Sequence, residues 1–123
     1  MSDGEHVQIY VYKLPKKNHD AMVSLMKKFT TLYRKHGTRS WEIYQLNSTE
    51  AFEGSTSIAS TVSAGNDEEV WVEVDHYKDR SARDKAVGAI MQDPTAGALF
   101  GELAGTISQG SSLIMGDFEP VKV

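Results

Sequence analysis

Apolar positions along this chain repeat with two different periods. Over residues 7–14, Val7, Ile9 and Val11 alternate with Gln8, Tyr10 and Tyr12, the period of two that predicts a strand, and Pro15 ends the run. Over residues 18–36 the period becomes helical, with Met22, Leu25, Met26, Phe29, Leu32 and Tyr33 on one stripe. Asn18 suits the N-cap, Asp20 the positive end of the helix dipole, Lys35 and His36 the negative end, and Gly37 a left-handed stop. Residues 38–46 alternate again, Trp41, Ile43 and Gln45 against Glu42, Tyr44 and Leu46. A third strand is predicted over 68–77, where Val70, Val72 and Val74 alternate with Trp71, Glu73, Asp75 and Tyr77. A helix follows from near Asp79 or Ser81, Ser81 and Asp84 resembling a capping box, with Ala82, Ala86, Ala89 and Ile90 as its inner stripe. Asp93-Pro94 stops it. Leu99, Phe100 and Leu103 mark a short further helix among glycines, and a last strand is predicted over 113–119.

The pattern fails over residues 47–66, where Phe52, Ile58 and Val62 are the apolar anchors. A segment of this length without regular structure reads as a lid, a binding loop or a disordered excursion, with a short edge strand expected over 58–62. The order strand, helix, strand, strand, helix, strand, joined by right-handed crossovers, predicts a single α+β domain over 1–123. Its expected form is the ferredoxin-like βαββαβ fold, a four-stranded antiparallel sheet with helices on one face. The three valines, Ile9 and Val11 are expected under the helices. The opposite face then carries Tyr10, Tyr12, Tyr44, Trp71 and Tyr77 among Gln8, Glu42, Glu73 and Asp75. That aromatic area is too large to leave in water. A homodimer is therefore expected, its two sheets facing each other as a dimeric α/β barrel around a polar-aromatic cavity.

Composition narrows the field. Apolar residues make up 40% and charged residues 24% of 123 residues, ordinary values for a chain with one core. The absence of cysteine excludes disulfides, thiol catalysis and thiolate metal sites. The opening Met-Ser-Asp-Gly-Glu-His lacks the basic-then-apolar plan of a secretory signal, and no apolar run approaches spanning length. A cytoplasmic location and no membrane contact are the expectations. The net charge of -4 is uneven, residues 1–36 carrying seven Lys/Arg against three Asp/Glu. Those basic residues follow one helix without a stacking aromatic platform, so a solvated helix face is read and no nucleic-acid partner is expected.

No nucleotide loop, nucleophile elbow, metalloprotease helix or calcium loop is present. His6, His19, His36 and His76 are far apart in sequence, so no metal site and no cofactor are expected. His36 reads as a dipole partner and His76 as a rim residue in phase with the valines. Glu73 and Asp75 are the candidate catalytic pair. Residues two apart on a strand project from one face about 7 Å apart, near enough to share a proton, a cation or a water. One reading makes a carboxylate of this pair the general base acting on an acidic carbon or phenol held among Tyr10, Tyr12, Tyr44, Trp71 and Tyr77. The other pairs both with Arg39 or with a lysine across the dimer interface. Two functions follow: a dimeric small-ligand-binding or interaction protein, or a cofactor-independent enzyme of monooxygenase or isomerase type on a small organic substrate.

Several stretches resemble the YbaA-like family of small, uncharacterised bacterial proteins in the dimeric α/β-barrel superfamily. They are Pro-Lys-Lys-Asn at 15–18 with Asp20-Ala21, His36-Gly37, Asp67-Glu68-Glu69-Val70 through Tyr77, and Arg83-Asp84. Met91-Gln92-Asp93-Pro94 and Ile114-Met115-Gly116-Asp117-Phe118-Glu119 continue the match. The chain departs from the family in having Thr95 after Asp93-Pro94, in residues 106–111, and in lacking a Glu-Cys dipeptide in the second strand. The resemblance implies the fold and the dimer, and no established activity.

Overall fold

The structure, a computed structural model, describes residues 5–111 and 113–123. Strand β1 (His6–Pro15) passes through one 3-10 turn into helix α1 (His19–Lys35), and β2 (Ser40–Gln45) follows. A helical turn α2 (Ile58–Thr61), strand β3 (Glu68–Tyr77), helices α3 (Arg80–Gln92) and α4 (Pro94–Thr106), and strand β4 (Ile114–Phe118) complete the order. The strands form one antiparallel sheet, β2-β3-β1-β4, with β3 and β1 in the middle. Helices α1, α3 and α4 pack against one face of it. This is the ferredoxin-like α+β architecture that the element order predicts.

The helices cover the face opposite to the one expected. Register places Tyr10 against Glu73, Tyr12 against Trp71 and Trp41 against Asp75, and cross-strand partners share a face. On that face Tyr12, Trp71 and Tyr77 are buried with Leu14 of β1 and Met22, Leu25, Phe29 and Leu32 of α1. Val7, Ile9, Val11, Val72 and Val74 lie on the other, half-buried. Ranking faces by polarity gave the wrong answer because apolar area decides. An aromatic side chain buries roughly 150–250 Å², and the hydroxyls of Tyr12 and Tyr77 that go under with it face acceptors there.

Local details differ too. Residues 58–62 are a helical turn rather than a strand, because Ser57 caps it by accepting from the Ala59 N–H at 3.2 Å. Lys13 fastens the following loop by donating to the Ser63 carbonyl at 3.0 Å. The cap of α3 is Asp79, which accepts from the Ala82 N–H at 2.8 Å, not Ser81. Asp93-Pro94 ends α3 and at once begins α4, since proline at a first helical position gives up only an N–H that would be unpaired anyway. Asp93 caps α4 by accepting from the Thr95 N–H at 2.9 Å, and α4 runs for 13 residues, longer than its glycines suggested. Asn18 stands at the N-cap of α1 but donates its amide to the Thr106 carbonyl at 3.0 Å, tying the start of α1 to the end of α4. Gly37 adopts φ +88°, the left-handed stop expected.

Trp71, 4% exposed, therefore belongs to the core of each protomer. Trp71→Ala should cost about 3–5 kcal/mol and lower the urea midpoint of the isolated protein. An unchanged midpoint would place this side chain outside the core.

Candidate functional site

Because β1 and β3 are neighbours, alternate residues of each line up beneath the helices. Gln8, Tyr10 and Tyr12 come from β1, and Glu73, Asp75 and Tyr77 from β3. Tyr33 is supplied by α1, Ile90 and Met91 by α3, Phe100 and Leu103 by α4. Together they bound a cavity of about 110 Å³ inside one protomer, between sheet and helices. It does not lie between two facing sheets, because the face carrying these residues is the covered one. Its volume is smaller than that of a dry cavity of about 150 Å³, which admits benzene, so one small ring is the upper limit of what it holds. Met91 and Phe100, both exposed, stand at its rim. None of residues 47–66 lines it, so the loop is not its lid.

Of the residues singled out by sequence, Tyr10, Tyr12, Tyr77, Glu73 and Asp75 meet here. Trp71 shares their face but lines a separate groove with Trp41 and His19, its indole N–H donating to Glu69 at 2.9 Å. Tyr44 is opposite Val72 on the other face and 57% exposed, so it takes no part. Tyr33 was missed as a site residue. Helical spacing marked it as core, and the available signal was that a buried tyrosine hydroxyl requires a partner. It donates to Glu73 Oε2 at 3.3 Å.

The two carboxyls are buried, Glu73 7% and Asp75 1% exposed. Among the described residues no lysine, arginine or histidine forms an ion pair with either. Pairing with Arg39 does not occur. Loss of hydration pushes the Glu73 carboxyl well above the usual carboxylate range, and the adjacent Asp75 charge adds to it. Loss of hydration also raises Asp75, to about 6, against the hydrogen bond from Glu73 that favours its ionised form. Burial and mutual repulsion favour one proton shared between the two carboxyls over two charges. Burial and the same negative charges raise the tyrosine hydroxyls, Tyr77 to about 12 and Tyr10, Tyr12 and Tyr33 further. All four are neutral donors at ordinary pH.

Each histidine has a carboxylate partner away from this cavity. His6 meets Asp117 at 2.9 Å, His19 meets Glu69 at 2.7 Å and His36 meets Asp93 at 2.7 Å. His76, on the valine face as expected, bonds Glu5 and meets Glu42 at 2.9 Å. Among the described residues no cluster of three His, Cys, Asp or Glu side chains is placed to hold a metal ion. No helix of the described residues is long and apolar enough to cross a membrane.

Fold and cavity together define a ferredoxin-like domain with an acidic, tyrosine-lined chamber beneath its helices. The chain belongs to the family described as a protein of unknown function, DUF1428, whose model matches residues 5–102. Among curated proteins none matches the chain. Its structure is similar to that of a dimeric ferredoxin-like protein from an uncultured marine organism, with a TM-score of 0.65, 9% identity and 98% of each chain covered. It is also similar to a dimeric ferredoxin-like protein of unknown function from a Jannaschia species, with a TM-score of 0.60, 15% identity, and 94% of this chain and 99% of that one covered. A third similar structure is SnoaB, a cofactor-independent oxygenase from Streptomyces nogalater, with a TM-score of 0.57, 10% identity, and 98% and 96% coverage. At these identities the likeness shows the fold alone.

The buried pair dictates a pH dependence. A carboxyl whose folded pKa is raised binds more protons in the folded state than in the unfolded one, where it titrates near 4. Its favourable contribution is complete below that value and fades as pH rises through the raised values, from about pH 4 through 6 and beyond. Asp93, held low chiefly by its bond from His36, acts in the opposite sense, but below pH 4. Between pH 4 and 7 Glu73→Gln should flatten the fall in melting temperature and raise the melting temperature at pH 7. Equal slopes in the two proteins would mean that the pair ionises as freely as in water.

Proposed function

We propose that each protomer binds a small organic molecule in this cavity and that Glu73 and Asp75 act on it as an acid–base couple. The protein is read as a cofactor-independent enzyme whose central step is a proton transfer, of isomerase or monooxygenase type. One observation carries the reading: two adjacent buried carboxyls, paired with no described cation, on the wall of a cavity of about 110 Å³; we infer that they share one proton. A pair in this state offers a protonated group and an ionised group at once. The protonated carboxyl can donate to a carbonyl oxygen of the ligand while the ionised one removes the adjacent C–H proton. The enol so formed returns to the ketone by the reverse transfers. The name given to SnoaB is compatible with this reading, and the kinship with YbaA-like proteins and a cytoplasmic location belong to the same proposal.

Cyclohexanone in deuterium oxide provides the test. Exchange of its α protons, followed by NMR, should be accelerated by the protein. Glu73→Gln and Asp75→Asn should each reduce the acceleration by about 10²–10⁴-fold, the usual contribution of a general acid or base. Binding without exchange would make the protein a binding module, the other function read from its sequence. Neither binding nor exchange would overturn the proposal.

The proposed assembly is a homodimer through the valine face, completing an α/β barrel. Val7, Ile9, Val11, Val72 and Val74 form an apolar surface there, and Ile114 and Phe118, 53% and 50% exposed, extend it. Two of the similar structures are described as dimeric. Val72→Asp should convert a dimer into a folded monomer in sedimentation velocity. A monomeric parent protein at micromolar concentration would rule the dimer out.

A further inference from the structure

Accepting that this cavity is a ligand site, as proposed above, the polar atoms facing it specify what kind of ligand it takes. Each tyrosine hydroxyl on its wall already faces an acceptor of the protein. The Tyr10 hydroxyl donates to Gln8 Oε1 at 3.4 Å and the Tyr77 hydroxyl to the same oxygen at 3.5 Å. The Tyr33 hydroxyl donates to Glu73 at 3.3 Å and that of Tyr12 to the Met26 sulfur at 3.9 Å. Gln8 is opposite Asp117 in the β1–β4 register and helps hold that carboxylate low. What remains on offer is acceptor: two carboxyl groups with two oxygens each, reached by one tyrosine hydroxyl and one shared proton. Asp75 Oδ1 is fully buried and receives no bond from any other described group. A buried acceptor left in that state costs free energy until a donor reaches it.

The charges point the same way. His6 and Arg83, the basic groups nearest the Gln8 end, are both engaged by Asp117, at 2.9 and 3.3 Å. His76 lies on the other face of the sheet between Glu5 and Glu42. None of these lines the cavity, and no lysine does either. The cavity therefore carries uncompensated negative charge surrounded by tyrosine rings, whose faces attract cations.

We propose that the ligand of this cavity is a small organic amine, bound as its ammonium ion with N–H groups directed at Asp75 and Glu73. An anionic ligand would meet the remaining negative charge of the carboxyl pair, with only the one shared proton to receive it. A neutral alcohol could supply one donor and no charge. An ammonium group supplies up to three donors and the missing countercharge, and its carbon skeleton packs against Ile90, Phe100 and Leu103.

Cyclohexylamine, cyclohexanol and cyclohexanecarboxylate, near-isosteric probes of the three charge types, separate the possibilities by calorimetry at pH 7. The amine should bind at least tenfold more tightly than the alcohol, and the carboxylate should not bind. In the double variant Glu73→Gln/Asp75→Asn the amine should fall to the affinity of the alcohol. The wild-type ranking is itself a readout if the double variant fails to fold. Alcohol binding as tight as the amine, or carboxylate binding, would overturn the inference. So would amine binding unaffected by the double substitution, which would place the amine on the acidic outer surface. Exchange of cyclohexanone protons without amine selectivity would overturn this inference and leave the proposed function standing. Selective amine binding without exchange would do the reverse, and failure of every probe to bind would remove both.

Discussion

Two carboxyl groups two residues apart on one strand, buried and without a cation, cannot both be ionised at modest cost. Much of the interior is arranged around that constraint. Tyr33 reaches down from α1 to donate to Glu73, and a single proton shared between Glu73 and Asp75 would remove one of the two charges. Tyr10 and Tyr77 converge on one oxygen of Gln8, which gives both hydroxyls an acceptor within the protein. Tyrosine suits this wall because one residue supplies a large apolar ring and one polar atom. Phenylalanine would leave the carboxyl pair without its donor, and aliphatic side chains would leave no polar lining.

Outside the chamber the same residue types are used in the opposite electrical sense. Asp93 receives bonds from His36 at 2.7 Å, from the Thr95 N–H at 2.9 Å and from the Thr95 hydroxyl at 2.7 Å, and Lys35 approaches it at 3.2 Å. Its carboxyl is held low, and the three segments meeting there are the end of α1, the end of α3 and the start of α4. Asn18, bonded to Thr106, joins α1 to the other end of α4. These helices form the roof of the cavity. Carboxylates supplied with donors therefore fix the roof, and carboxyls deprived of them lie beneath it.

The alternation of β1 and β3, the stripe of α1 and the Asp93-Pro94 break were legible as soon as the chain was read with periods of two and 3.6. Relative phase within a strand was legible as well, which is why Tyr10, Tyr12, Tyr77, Glu73 and Asp75 do come together. Which face the helices would cover was not, because alternation distinguishes two sides without saying which is inside. Valines half-buried on a bare sheet and valines under a helix produce the same pattern. Tyr44 was grouped with the other aromatics by type, but its phase follows the β2–β3 register, opposite Val72, and register is a tertiary property. Residues 58–62 carry too few apolar positions to separate a strand from one helical turn, and there the Ser57 cap decided the matter. The length of α4 was hidden by glycines whose low helix propensity is outweighed by packing through Ala96 and Leu103.

The two faces of the sheet are separate in chemistry but not in electrostatics. His76 follows Asp75 directly and so points to the valine face, where Glu5 and Glu42 engage it. Across the thickness of one strand the charge of His76 favours ionisation of Asp75 and that of Glu42 opposes it. A proposed partner sheet laid against the valine face would take water away from this trio and strengthen each of those interactions. If the histidine keeps its charge there, as its two acidic neighbours favour, the field on Asp75 is that of a triad with one positive and two negative members. Assembly would then bear on how firmly the chamber holds its proton without any interfacial side chain entering the chamber. The sheet allows this because its two surfaces are only a backbone apart.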